Sequence, residues 1–205
     1  MKIVQPKNKK AKREIQRRAV LELAESCSFD EPHARHVAKL AGMLFDGLIS
    51  LHKFQGKWRF WLEYAALLHD IGWVGGRKGH HKKSLNIIRE SVGLPFSYRK
   101  RLMVGSIARY HRRTLPDVSH YHYFALAPRD RKIVLGLSAI LRVADGLDAA
   151  HRQAIIHVAC KITPTEIIIY YKAKSPAAVE LQAAAAKSNL MKRVFNRTIG
   201  IQQDL

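Results

Sequence analysis

Apolar residues recur three or four positions apart at Leu40, Leu44, Leu48 and Leu51, a spacing that predicts an amphipathic helix. Asp30 reads as its N-cap, Pro32 falls in its first turn, and Gly56 ends the run. A helix precedes it from about Lys12 to Cys27, and a third runs from about Lys57 to His69. The glycines between Gly72 and Gly79 predict a loop. Helices follow over about His81 to Ser91 and Ser97 to Tyr110, then an irregular, aromatic-rich connection from Pro116 to Pro128. A long apolar helix is predicted from about Arg129 to Ala150. The pattern changes after His151. Ile155 to Ile162 and Glu166 to Tyr171 are β-branched and aromatic runs separated by Thr163-Pro164-Thr165, which predicts a hairpin. A last helix covers about Ala177 to Phe195, and Thr198 to Gln202 is a candidate third strand. The expected fold class is mainly α, a helical bundle with a small C-terminal α/β extension. A hairpin alone is marginal in water, so the extension must pack on helices. The expected organisation is a flexible basic arm over 1–12, a helical domain over 13–152 and the α/β unit over 153–205.

Composition narrows the class. With 205 residues, 47% of them hydrophobic, the chain is long and apolar enough for a folded domain with a sizeable core. No apolar run approaches the roughly 20 residues that span a bilayer, and no membrane partner is expected. Met1 to Arg18 is basic without an apolar segment behind it, which argues against a secretory signal. Cys27 and Cys160 show no metal-type spacing; reduced thiols and a cytoplasmic setting are expected. Lys and Arg number 36 against 16 Asp and Glu, a formal net charge of +20. A field of that sign draws in polyanions such as nucleic acid or polyphosphate, although part of the charge also serves solubility. The basic N-terminal segment is a candidate arm for nonspecific nucleic-acid binding, but it lacks the interleaved aromatic residues of single-strand sites. The tryptophans read as core.

The chemistry concentrates at His69-Asp70, where an apolar helical run ends in two adjacent polar groups followed by Gly72. Burying such groups unpaired costs a few kcal/mol, and a divalent metal ion is one partner that removes the cost. Other candidate ligands stand at His33, His80, His111 and Asp145. A mixed imidazole and carboxylate set suits Mn, Fe, Co, Ni or Zn better than a calcium site, and Mg is also allowed. An ion held by residues from several helices supplies Lewis acidity and an activated water, so phosphoester or phosphoanhydride hydrolysis is the leading reading. Lys82, Lys83, Arg109, Arg112 and Arg113 flank these histidines and are candidate phosphate contacts; each is equally well a solvated surface cation. Arg142 lies one turn before Asp145 and is a further candidate to point inward. Asp148 is either a helix-end cap or a partner that orients a ligand histidine.

His33, then His69-Asp70, then Asp145 resemble the ordered signature of the HD superfamily of metal-dependent phosphohydrolases. Leu44-Phe45-Asp46, Ala65 to Gly72, His80 to Ser84, Ala108 to Arg113 and Ile140 to His151 are similar to the C-terminal HD-like region of exopolyphosphatases and guanosine pentaphosphatases. The resemblance implies a metal held by His33, His69, Asp70 and Asp145. It favours His33 over His36, because the pattern expects histidine three residues before an Arg-Val-Ala type stretch. His80 and His111 match positions that hold a second metal in binuclear members and face the substrate phosphate in others; His81 is the alternative to His80. Asp70, His80 and His111 are thus the candidate catalytic residues. The implied substrate is a phosphorylated small molecule (a nucleotide or guanosine polyphosphate) or polyphosphate. The resembling enzymes carry an actin-like domain ahead of this region, where their catalysis is placed, and 205 residues leave no room for it. The chain therefore reads as a stand-alone version. In the larger relatives this region contributes to polyphosphate binding and dimer contacts, so a polyanion-binding module, alone or as a homodimer, is the rival expectation.

Overall fold

The structure, a computed structural model, describes residues 8–76 and 78–204. The first helix, α1 (Lys9–Ser26), starts three residues earlier than the hydrophobic pattern predicts. Asn8 explains this: its side-chain oxygen accepts the Lys10 N–H at 2.8 Å and caps the helix. The remainder of the predicted basic arm, 1–7, lies outside the described residues. Helix α2 (Glu31–Gly47) is capped as predicted, with Asp30 accepting the His33 N–H at 3.1 Å and Pro32 in the first turn. It ends well short of Leu51. A turn at Leu48 leads to the single-turn helix α3 (Ile49–His52), closed by Lys53 in a left-handed conformation. The leucine spacing hid this break, because Leu48 stays buried across it.

Helix α4 (Lys57–Leu67) stops two residues before His69, and the predicted loop begins with a 3-10 turn over Ile71–Gly75. Helices α5 (His80–Glu90) and α6 (Tyr98–Arg109) follow, and a single turn, α7 (Tyr121–Phe124), interrupts the aromatic-rich connection. Helix α8 (Pro128–Gly146) ends four residues before the predicted Ala150. Beyond it, the Asp148 carboxylate accepts the Gln153 N–H at 2.7 Å and holds the chain in turns, with His151 at φ 56°. Strands β1 (Ile155–Ile162) and β2 (Glu166–Ala173) form the predicted antiparallel hairpin. The last helix is broken at Ser188 into α9 (Ala178–Lys187) and α10 (Asn189–Phe195). Strand β3 (Thr198–Gln203) then pairs parallel to β2, giving the order β1-β2-β3. The protein is mainly helical with a small C-terminal α/β extension.

The extension packs on the helices: β1 lies on α2, while α9 and α10 lie on α8. The core is the shared interior of α2, α4, α6 and α8, with Leu40, Leu44, Leu62, Ile107, Ile140 and Leu141 fully buried. Among the tryptophans only Trp58 is buried; Trp61 packs half-buried against the core, and Trp73 lies outside it. No helix among the described residues is long and apolar enough to cross a membrane. Truncating Leu44 to alanine in this interior should cost about 2–5 kcal/mol, read as a lower urea midpoint with an unchanged slope.

Candidate metal centre

The histidine and aspartate at 69 and 70 occupy the turn between α4 and the 3-10 turn. Two features press that turn onto the start of α5. Ser84 donates its hydroxyl to the His69 carbonyl at 2.8 Å and accepts the Gly72 N–H at 2.9 Å. A Cβ on Gly72 would stand 2.1 Å from the His80 carbonyl oxygen, so only glycine permits this approach. His80, the first residue of α5, is thereby set against Asp70. His111 follows α6, His33 sits in the first turn of α2, and Asp145 lies in the last turn of α8. Segments distant in sequence thus bring all six predicted residues together.

Their donor atoms fall into two groups around one carboxylate. Asp70 Oδ2 is 3.6 Å from His69 Nε2, while Asp145 Oδ1 is 3.6 Å from His33 Nε2 and 3.9 Å from His69 Nε2. On its other side, Asp70 Oδ1 is 3.1 Å from His80 Nε2 and 3.4 Å from His111 Nε2. Donors about 2.0–2.2 Å from one ion lie no more than about 4.3 Å apart, so these separations fit metal coordination. His33, His69 and Asp70 form one set with metal-holding spacing, and Asp70, His80 and His111 form another.

The ring orientations agree. His69 and His111 each donate Nδ1–H to a backbone carbonyl, Ala66 and Ala108, at 2.6 Å. His33 donates Nδ1–H to Asp148 Oδ2 at 2.8 Å. Each bond leaves Nε2 as the ligating atom and fixes the ring, the role of an outer-shell partner in metal sites. Nε2 of His33 and of His69 are buried without a hydrogen-bond partner among the described residues. With its Nδ1–H donated, His69 Nε2 is a buried, unsatisfied acceptor, which is costly in a native interior, and a cation placed there removes that cost. The residues present therefore fit a divalent metal.

The matching family model is Ppx/GppA phosphatase, domain III, and it covers residues 15–187. The chain belongs to this family. Every candidate ligand lies within the Ppx/GppA domain III segment, as does Lys187 at its end. No curated protein matches the chain.

Within this Ppx/GppA domain the surrounding groups sort into three sets. Asp148, Ser84 and Lys187 support the ligands. Lys187 donates to Asp145 Oδ2 at 2.6 Å, leaving Oδ1 toward the histidines. It gets there because Gly146 lets α9 lie against α8, where a Cβ would meet Ala184 Cα at 2.6 Å. No sequence signal marks Lys187, since its partner Asp145 is 42 positions away along the chain. Second, His151 stacks on His33 with centroids 3.7 Å apart, and Trp73 stacks on His151 at 6.0 Å, forming a wall beside the centre. Reading Trp73 as core missed this.

The third set is the predicted cations, which the fold separates. Arg109 is buried and its guanidinium has no carboxylate or hydrogen-bond partner among the described residues. It lines a cavity of about 310 Å³ with Lys82, His120 and His122. Lys83 instead donates to the Gly75 carbonyl, Arg112 is half-buried and Arg113 is exposed. Arg142, a candidate to face the ligands, ties the fold together: it donates to the Tyr110 carbonyl at 3.1 Å and to Asn189 Oδ1 at 3.3 Å. His36 donates to the Ile155 carbonyl at 2.8 Å, so it serves the α2–β1 contact. His81 is buried behind His80, and desolvation plus Arg109 hold its pKa down to about 4.

The carboxylates set the charge of the centre. Burial would raise Asp145, but Lys187 and the neighbouring histidines outweigh it and hold its pKa well below the usual range. Burial would lower His33, but Asp145 and Asp148 outweigh it and raise its pKa from 6.5 to about 9. In the metal-free protein, folded His33 therefore keeps a proton that an unfolded histidine releases near 6.5. Its contribution is full below pH 6.5 and is lost as the pH climbs toward 9. Lys100, lowered by burial to about 8, acts with the opposite sign above that pH. Histidines whose pKa burial lowers, among them His81 and His122, act with the opposite sign near pH 6.5, so the comparison that isolates His33 is with Asp148→Asn. In chelator, the urea midpoint of the parent should exceed that of the variant by less at pH 8 than at pH 6.5. A gap that widens over that window contradicts the assignment.

Proposed function

We propose that the protein is a metal-dependent phosphohydrolase of the HD type. His33, His69, Asp70 and Asp145 hold one divalent ion, and Asp70, His80 and His111 hold a second. Membership of the Ppx/GppA phosphatase domain III family supports a phosphate compound as substrate. The observation that carries the reading is the Asp70 carboxylate, whose two oxygens face two separate histidine sets. Ions bound there supply Lewis acidity to the phosphoryl group and lower the pKa of a water. The chain's own residues do the rest. Asp148 and the Ala66 and Ala108 carbonyls hold the imidazoles in their ligating orientation. Arg109 and Lys82 meet phosphoryl oxygens, which gives the buried guanidinium the anion it lacks in the fold. His151 and Trp73 restrict water on the His33 side. Nucleotides, guanosine polyphosphates and polyphosphate are the substrate panel.

One observation favours a second reading, a non-catalytic polyphosphate-binding module. Lys187 and a protonated His33 balance Asp145 without any metal. Metal content of protein purified without chelator, followed by phosphate release from the panel with added Mn or Co, separates the two. Bound metal, and release that disappears in His69→Ala, supports hydrolysis. Polyphosphate binding retained in His69→Ala, with no release by the unaltered protein, supports the binding module.

A further inference from the structure

The basic N-terminal segment lacks aromatic residues in sequence, yet the fold supplies them. Helix α1 crosses α4, and a cavity of about 520 Å³ opens between α1, α4 and the start of α6. Lys9, Lys12 and Arg13 line one side, Lys57 and Lys100 the other, and none of the described lining residues is acidic. The floor is a packed aromatic group. Tyr64 and Phe96 stack at 5.6 Å, and the Trp61 ring meets the Phe96 ring edge-on at 4.9 Å. Arg13 lies over the Phe60 ring at 4.0 Å, and Lys100 Nζ is 4.1 Å from the Trp58 centroid and 5.1 Å from that of Trp61.

We infer that this groove binds single-stranded nucleic acid, with the cations on its phosphates and Phe60 and Trp61 against its bases. Charge accounts for the anion. A neighbouring hollow along α1 and α4 is also basic, but its arginines are neutralised within the fold: Arg17 by Glu63, Arg59 by Asp46 and Arg35 by Glu31. Among the described residues no carboxylate ion-pairs with Arg13, Lys57 or Lys100. Burial, then Arg99 and Lys57, lower Lys100 to about 8 against the opposing pull of Asp130, which forms its ion pair with Arg99 instead. The aromatic floor selects among anions. Polyphosphate has no group to lay on a ring, whereas bases stack on aromatic faces, and an unpaired strand exposes them. The groove shares no residue with the metal centre, so this inference stands or falls separately from the proposed hydrolysis.

The test is fluorescence anisotropy of the full chain with a labelled oligonucleotide of about ten residues, a length within the footprint of such sites. Duplex of the same length, ATP and polyphosphate serve as competitors. The strand should bind in low salt with or without chelator, and should outlast competition by equal concentrations of duplex or ATP. Trp61→Leu should weaken strand binding about tenfold or more and leave polyphosphate binding unchanged. Lys57→Gln, an exposed position that leaves folding intact, should reduce the slope of log affinity against log salt by about 0.7, the share of one single-strand phosphate contact. Strand binding that is indifferent to both substitutions overturns the inference. So does displacement of the strand by polyphosphate or ATP at matched concentration.

Discussion

Replacing Asp70 by asparagine is expected to reduce bound metal from two ions per chain to one at most. Phosphate release should fall by more than about 100-fold, the upper range for loss of a mere supporting partner of a metal ligand. The reasoning rests on the two faces of one side chain. Oδ2 lies toward His69 and Oδ1 toward His80 and His111, so a single substitution touches both histidine sets. Asparagine keeps the shape but offers one neutral oxygen, and no charge to balance two cations. The aspartate is well suited to the task, because His69, His80 and His111 outweigh its burial and keep its pKa below the usual range. Metal analysis and phosphate release on the same preparation read both effects. In chelator the variant should still unfold in one cooperative transition, because the fold around Asp70 is held by Ser84 and the apolar interior.

Adding one methyl group at Gly72 is the second large effect. A Cβ there would stand 2.1 Å from the His80 carbonyl oxygen and 2.7 Å from the Ser84 nitrogen. Both are backbone atoms of α5, so no side-chain rotation relieves the clash and the helix itself must move. The expected cost for Gly72→Ala is about 3 kcal/mol, at the upper end for overpacking. The displacement carries His80 away from Asp70, so the second ion should be lost while the set on His33, His69 and Asp145 keeps the first. Gly93→Ala is the control: nothing lies within 4 Å of its added Cβ, and it should stay within about 0.5 kcal/mol of the parent. Loss of the first ion before the second in Gly72→Ala contradicts this arrangement.

The helices were legible wherever apolar spacing matched burial. Leu40, Leu44 and Leu62 face the interior as their periodicity requires, and the Asp30 cap stands where its side chain predicts. What periodicity misses is a break that keeps the register, as at Leu48, or one set by tertiary partners. Helix α8 ends early where Asp148 turns to serve His33 and the Gln153 N–H, contacts invisible until α2 and α8 are placed together. The six candidate ligands are legible through residue type together with the resemblance of their order to the HD signature, which short stretches of sequence carry. Lys187 was not, since its meeting with Asp145 depends on the close α8–α9 approach at Gly146. Among the flanking cations sequence distance does not fix surroundings: Arg109 is buried against a cavity with Lys82, whereas Lys83 and Arg142 hold backbone carbonyls. The aromatic partners of the basic N-terminal helix come from α4 and the start of α6, so no linear pattern contained them.

Crystals grown or soaked with Mn give the most direct reading of the central claim, through an anomalous difference map. Two peaks are expected, one among His33, His69, Asp70 and Asp145 and one among Asp70, His80 and His111, with Asp70 touching both. A map with no peak on Asp70, from protein that has taken up manganese elsewhere, would contradict it.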